Sequence, residues 1–159
     1  MQYYLQIMDD RLEKLIEQYA NHYHENFKLS PLQAKIFAYV LIYGRKNDIT
    51  FEQVIEYTKA CKSSVSTSLN FLIEQKKIVF INKPNDRKKY YKINKLSDVL
   101  VQAQKTILHE LLLIDDMIDY FNETIETLDD LRQVNNIKVF KDYLQNISQS
   151  INDTLNKIQ

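Results

Sequence analysis

Residues 63–94 read SSVSTSLNFLIEQKKIVFINKPNDRKKYYKIN. The first half, read as a helix, puts Val65, Leu69, Leu72 and Ile73 on one face and Ser63, Ser66, Thr67, Asn70 and Glu74 on the other. One side packs, and the other is small and polar. The second half holds two β-prone runs, KIVFINK and KKYYKIN, on either side of Pro84, Asn85 and Asp86. Proline presets the first turn angle and asparagine tolerates positive φ, so the spacing predicts a two-stranded hairpin. Tyr90 and Tyr91 alternate faces on the returning strand; one is expected to pack on the domain and the other to cover a lysine stem or a sugar, with a core role favoured for both.

Upstream, ITFEQVIEYT opens with Thr50 and Gln53 spaced as a capping box and places Phe51, Val54, Ile55 and Thr58 on one face. Before it, SPLQAKIFAYVLIYG starts at an N-cap, Ser30, with Pro31 at the first helical position. Its Ile36, Phe37, Val40 and Leu41 belong to a core, and Gly44 is expected to end the helix in a left-handed conformation. Helix, helix, helix and hairpin is the order of a winged helix-turn-helix.

The flanks carry a narrower pattern. Leu5, Met8, Leu12, Leu15, Tyr19 and His22 alternate steps of three and four, a seam that calls for a partner helix. Past residue 95, Leu100, Ala103, Ile107, Leu111, Ile114, Ile118, Phe121, Ile125 and Leu128 average a step of 3.5, and a last helix is expected after DDLRQVNN, carrying Ile137, Phe140, Leu144, Ile147, Ile151, Leu155 and Ile158. The expected fold class is mainly α: a winged helix-turn-helix domain over 28–95, an N-terminal dimerisation helix over 1–27 and a C-terminal helical dimerisation region over 96–159. The residues expected to form a homodimer are Leu5, Leu12, Leu15, Leu111, Ile114, Ile118, Phe121, Ile125, Leu144, Ile147 and Ile151.

The 159 residues carry no net charge, yet residues 59–92 hold nine Lys or Arg against two acids, and the remainder twelve against nineteen. Such clustering is an electrostatic footprint for a polyanion. Short side chains on the Ser-rich helix would let it sink into the ~12 Å major groove of DNA. Asn70 is the candidate for reading adenine, because a carboxamide pairs with N6 and N7 together; Ser63, Ser66 and Thr67 can serve phosphate or base, and Lys62 supplies charge. The hairpin tip would lie along the flanking minor groove with Arg87 inserted, Lys83, Lys88 and Lys89 on phosphates, and Asp86 orienting Arg87 or capping the turn. The expected partner is double-stranded DNA, read in sequence-specific fashion; the alternative is a winged-helix protein-interaction module without specific DNA binding.

SPLQAKIFAYVLIYG, FEQVIEYTKACKSSVSTSLNFLIEQKKI and NKPNDRKKYYKI resemble the MarR superfamily, most closely its GbsR-type subgroup, whose recognition helix carries S-K-[GS]-S-V-S-x-S-L and whose wing carries G-D-R-[KR]-x-Y. The resemblance is close over residues 28–95. It implies homodimeric transcriptional regulators, usually repressors, that bind palindromic operators through the serine-rich helix and the wing. It also leaves room for a small-molecule effector. Three positions depart: Cys61 stands where the pattern has serine, Asn85 where it has glycine, and Lys76 where a glycine usually follows the recognition helix.

Other chemistry is thinly supported. Cys61 begins a helix between Lys59 and Lys62, where the dipole and both charges favour a thiolate, so it is a candidate redox sensor as well as a small cap residue. A single cysteine excludes an internal disulfide, and His22 and His24 with Glu25 lie too close in sequence for a metal site, so no metal or other cofactor is expected. One glycine is too few for a phosphate-cradling loop. The pairs Asp115-Asp116 and Asp129-Asp130 lack an accompanying His or Ser, so no enzyme activity is expected. Most of the eleven tyrosines hold helix-core or strand spacings, so a cation cage is not favoured. The acid-containing N-terminus and short apolar runs fit no signal peptide or membrane span, which points to a cytoplasmic protein with no membrane partner.

Overall fold

The computed structural model describes residues 2–158, with side chains from residue 10 onward; Leu5 and Met8 lie outside the described side chains. The chain forms two compact units, Met1–Asn94 and Lys95–Gln159.

The N-terminal unit contains α1 (Gln2–Phe27), α2 (Pro31–Ile42), a 3-10 turn (Tyr43–Arg45), β1 (Ile49–Thr50), α3 (Phe51–Thr58), α4 (Lys62–Glu74), β2 (Ile78–Asn82) and β3 (Lys89–Ile93). Helix α2 starts at Ser30, whose Oγ accepts from Gln33 N–H while Gln33 Oε1 accepts from Ser30 N–H. Thr50 and Gln53 repeat this reciprocal pair at α3, as their spacing predicts. The hairpin is joined by a third strand, because β1 pairs with β3 to give the antiparallel order β1-β3-β2.

The core is continuous across these elements: Ile36, Val40, Ile49, Val54, Val65, Leu72 and Ile78 are fully buried, and Ile16 and Leu69 nearly so. Helix α1 enters it through Leu12, Ile16, Ala20 and Tyr23. The seam read from the sequence is displaced from this face, so Leu15 and Tyr19 stay exposed.

With a single glycine available, left-handed corners fall on residues that carry a Cβ: Lys28, Lys59, Lys76 and Asn85 have φ of 55°, 57°, 53° and 62°. Lys76 closes α4 as a Schellman corner, its N–H bonding Ile73 O and the Lys77 N–H bonding Leu72 O, both at 2.9 Å. Asn94 Nδ2 donates to the Lys76 carbonyl and braces the corner from the end of β3. Gly44, expected in a left-handed conformation, has no positive φ. Its place has another cause: it is buried in the 3-10 turn, and a Cβ there would lie 3.0 Å from Ile49 Cδ1.

The C-terminal unit is a hairpin of α5 (Leu96–Glu123) and α6 (Leu128–Leu155). The last helix begins earlier than its sequence suggested, because Thr127, ahead of DDLRQVNN, forms a capping box with Asp130 inside it, so that DDLRQVNN is itself helical. Ile125 therefore sits in the turn between the helices and not on the α5 face assigned to it. Ile114, Ile118 and Leu144 bury against one another within the chain, with Ile107, Leu111, Ile137 and Ile147 packed around them. One polar step crosses this seam: Gln104 Nε2 donates to the buried Ser148 Oγ at 2.7 Å. Among the described residues no helix is long and apolar enough to cross a membrane.

Candidate nucleic-acid interface

Helix α4 divides as its pattern predicts. Val65, Ser68, Leu69 and Leu72 face the core, while Lys62, Ser63, Ser66, Thr67 and Asn70 are exposed. Ser66, Thr67 and Asn70 make no side-chain hydrogen bond among the described residues, so their donors and acceptors are free for an external partner.

The N-terminus of α4 is less well closed. Cys61 is the N-cap and offers no side-chain cap bond. Its Sγ lies instead 3.2 Å from Ser63 Oγ and 3.1 Å from Ser64 Oγ, and these hydroxyls pull the thiol down to about 7. The sequence attributes a favoured thiolate to the helix dipole with Lys59 and Lys62; in the structure the Ser63 and Ser64 hydroxyls come first. Iodoacetamide is expected to modify Cys61 with a rate half-maximal near pH 7, because the thiolate is the nucleophile and is largely formed above that pH. Replacing Ser63 and Ser64 with alanine should move the midpoint upward; an unchanged midpoint would remove the hydroxyls as its cause.

The wing follows. Asn85 takes the positive φ of the turn, and Asp86 caps it by accepting the Lys88 N–H at 2.9 Å and the Tyr90 hydroxyl, not by holding Arg87. These bonds hold the Asp86 carboxyl below its usual range. Tyr91 is buried in the core, whereas Tyr90 is half-buried beneath Lys83, whose Nζ lies 4.4 Å from the ring centroid. The two tyrosines thus take separate roles. Among the described residues Lys62, Arg87, Lys88 and Lys89 form no ion pair, and Lys89 Nζ lies 4.7 Å from the Phe80 ring centroid. Lys83, expected on a phosphate, is paired with Asp48, and Lys92 Nζ lies 3.1 Å from the same carboxylate.

Sequence reasoning missed Asp48. The only signal was its place before β1, and β1 is a two-residue strand with no periodicity to find. It also missed Leu108, Leu112, Leu113, Tyr120, Leu131, Val139 and Tyr143, which leave the outer faces of α5 and α6 apolar and exposed.

The remaining candidates serve structure. His24 Nδ1 is 2.7 Å from the Leu29 carbonyl at the end of α1, and the His22 ring packs against Tyr23 and Phe27. Asp115 pairs with Lys141, Asp129 accepts from Gln133, and Asp130 completes the α6 cap. Tyr39 and Tyr57 stack on each other at 4.0 Å, and Lys35 Nζ lies 5.2 Å from the Tyr57 ring centroid.

A winged helix-turn-helix is the fold these elements define. No protein-family model and no curated protein matches the chain. Among solved structures it resembles a crystal structure described as a transcriptional regulator, with 15% identity, a TM-score of 0.66 and coverage of 92% of this chain and 97% of the other. It is also similar to MepR, a transcription regulator of the Staphylococcus aureus multidrug efflux pump MepA, at 17% identity, TM-score 0.42, and coverage of 90% and 97%. For an S. aureus MepR–DNA complex the values are 18%, 0.41, 91% and 98%. The first of these likenesses supports the fold.

Proposed function

We propose that the chain is a sequence-specific double-stranded DNA-binding transcriptional regulator, acting as a homodimer and a repressor, of the GbsR type within the MarR superfamily. The observation that carries this is the exposed, uncharged Ser66-Thr67-Asn70 face of α4 on the same unit as a wing whose Arg87, Lys88 and Lys89 have no acid partner among the described residues. The description of the first similar structure as a transcriptional regulator agrees with it. In this reading Asn70 reads a base edge, Ser63, Ser66 and Thr67 serve phosphate or base, Arg87 enters the minor groove, and Lys62, Lys88 and Lys89 meet phosphates. Lys83 is held by Asp48.

The dimer is supported by Leu108, Leu112, Leu113 and Tyr120, which give α5 exposed apolar surface beyond the face packed against α6. In the C-terminal unit the exposed Phe121 would join Ile151 in that interface, while Ile114, Ile118 and Leu144 support it from within each protomer; in the N-terminal unit Leu12 and the exposed Leu15 would make dimer contacts of their own. A small-molecule effector would find a cleft of about 390 Å³ lined by Glu17, Asn21, His24, Lys35 and Tyr57.

Anisotropy titration against the DNA upstream of its own gene, at two salt concentrations and with an unrelated duplex as competitor, tests the proposal. Specific binding of two chains per site, weakening steeply with salt, is expected. Equal weak binding to both duplexes would favour a winged-helix interaction module. Asn70→Ala is expected to cost about 1–3 kcal/mol of discrimination at one base position. Arg87→Ala should weaken binding most where the flank is A·T-rich; uniform losses on all sequences for both variants would refute the assignment.

A further inference from the structure

Asp48 lies immediately before β1. The antiparallel register sets Ile49 opposite Tyr91, and its continuation sets Asp48 opposite Lys92, whose Nζ is 3.1 Å from Oδ1. Oδ2 pairs with Lys83, whose side chain folds back over the Tyr90 ring from the far strand of the sheet. Tyr90 in turn donates to Asp86 at the wing tip. One carboxylate therefore neutralises part of the charge of two of the five wing cations, and leaves Arg87, Lys88 and Lys89 outside the cluster.

We propose that Asp48 is a charge-limiting residue of the nucleic-acid interface, an internal stand-in for a phosphate that keeps Lys83 and Lys92 from contributing fully to sequence-independent binding. This rests on the DNA-binding reading above. Phosphate contacts fix a protein on the duplex but carry no sequence information, so each additional free cation strengthens binding to every site alike. Surface ion pairs are individually weak, and the DNA field competes for both lysines. Moving either lysine to a phosphate, however, leaves the Asp48 carboxylate exposed to the same polyanion. The net charge of the trio is one unit lower with Asp48 than without it wherever the lysines point. Its effect is a smaller sequence-independent share of the binding to every duplex, with the base-reading face of α4 untouched.

The test compares wild type, Asp48→Asn, Asp48→Glu and Asp48→Asn/Lys83→Gln by anisotropy on the upstream DNA and on an unrelated duplex, over a salt series, with each variant's melting checked. Asp48→Asn is expected to bind the unrelated duplex about tenfold more tightly near 0.15 M salt, with a log–log salt slope steeper by about 1–2. Its affinity for the specific site should rise by a similar factor, because a phosphate contact strengthens every site alike. Asp48→Glu should resemble wild type, and Lys83→Gln should lower the slope more in the Asp48→Asn background than in wild type. Weaker binding of Asp48→Asn to both duplexes at an unchanged slope would overturn the proposal and make Asp48 a mere brace for the wing. Wild type that binds neither duplex at low salt would overturn the DNA-binding reading itself, and this role with it.

Discussion

Replacing both Leu108 and Leu112 with glutamate is expected to give a folded monomer by light scattering and to lower operator affinity by about 10²–10⁴-fold, the gain that linking two half-site contacts ordinarily provides. The two residues lie one turn apart on α5, exposed by 48% and 65%, beside the face that holds Ile107, Leu111, Ile114 and Ile118 against α6. Because they touch little within their own chain, the change should cost the protomer no more than about 0.5 kcal/mol. In a dimer each glutamate would have to be buried without a partner. A variant that stays dimeric would move the interface to another face. A monomer with wild-type affinity would show that dimerisation is not needed for binding.

Leu72→Ala is expected to destabilise the protein by about 2–5 kcal/mol in urea unfolding, a large part of the roughly 5–15 kcal/mol that a domain possesses. Leu72 is fully buried and lies on α4 two residues from Asn70, which is exposed on the opposite side. The pair separates packing from recognition on one helix. Leu72→Ala should lose stability and binding together, while Asn70→Ala should melt with wild type and lose only its base preference. A loss well under 1 kcal/mol for Leu72→Ala would mean that the core closes around the vacated space, contrary to its continuity.

Much of the N-terminal unit was legible because its signals are local and strong. Ser30 with Pro31, and Thr50 with Gln53, mark helix starts through bonds made within four residues. Strand β1 was not legible, since two residues cannot show a period, and with it went the link from Asp48 to the wing. The α5–α6 break was hidden for another reason. Apolar spacing continues unbroken through Ile125 to Leu128 across a turn, and only the Thr127–Asp130 cap announces the new helix. Spacing also cannot say whether a seam is satisfied within a chain or between chains. That is why Ile114, Ile118 and Leu144 read as dimer contacts although they bury against each other within one chain.

The Gln104–Ser148 contact gives the C-terminal hairpin a keyway. Rows of isoleucine and leucine on α5 and α6 tolerate sliding by a turn, because one branched apolar side chain replaces another at little cost. The amide and the hydroxyl do not tolerate it: a slip would leave both without their bond, at about 1–3 kcal/mol for each buried group. Two otherwise slippery helices are thereby held to a single longitudinal alignment, and every apolar side chain on their outer surfaces is presented at a fixed height.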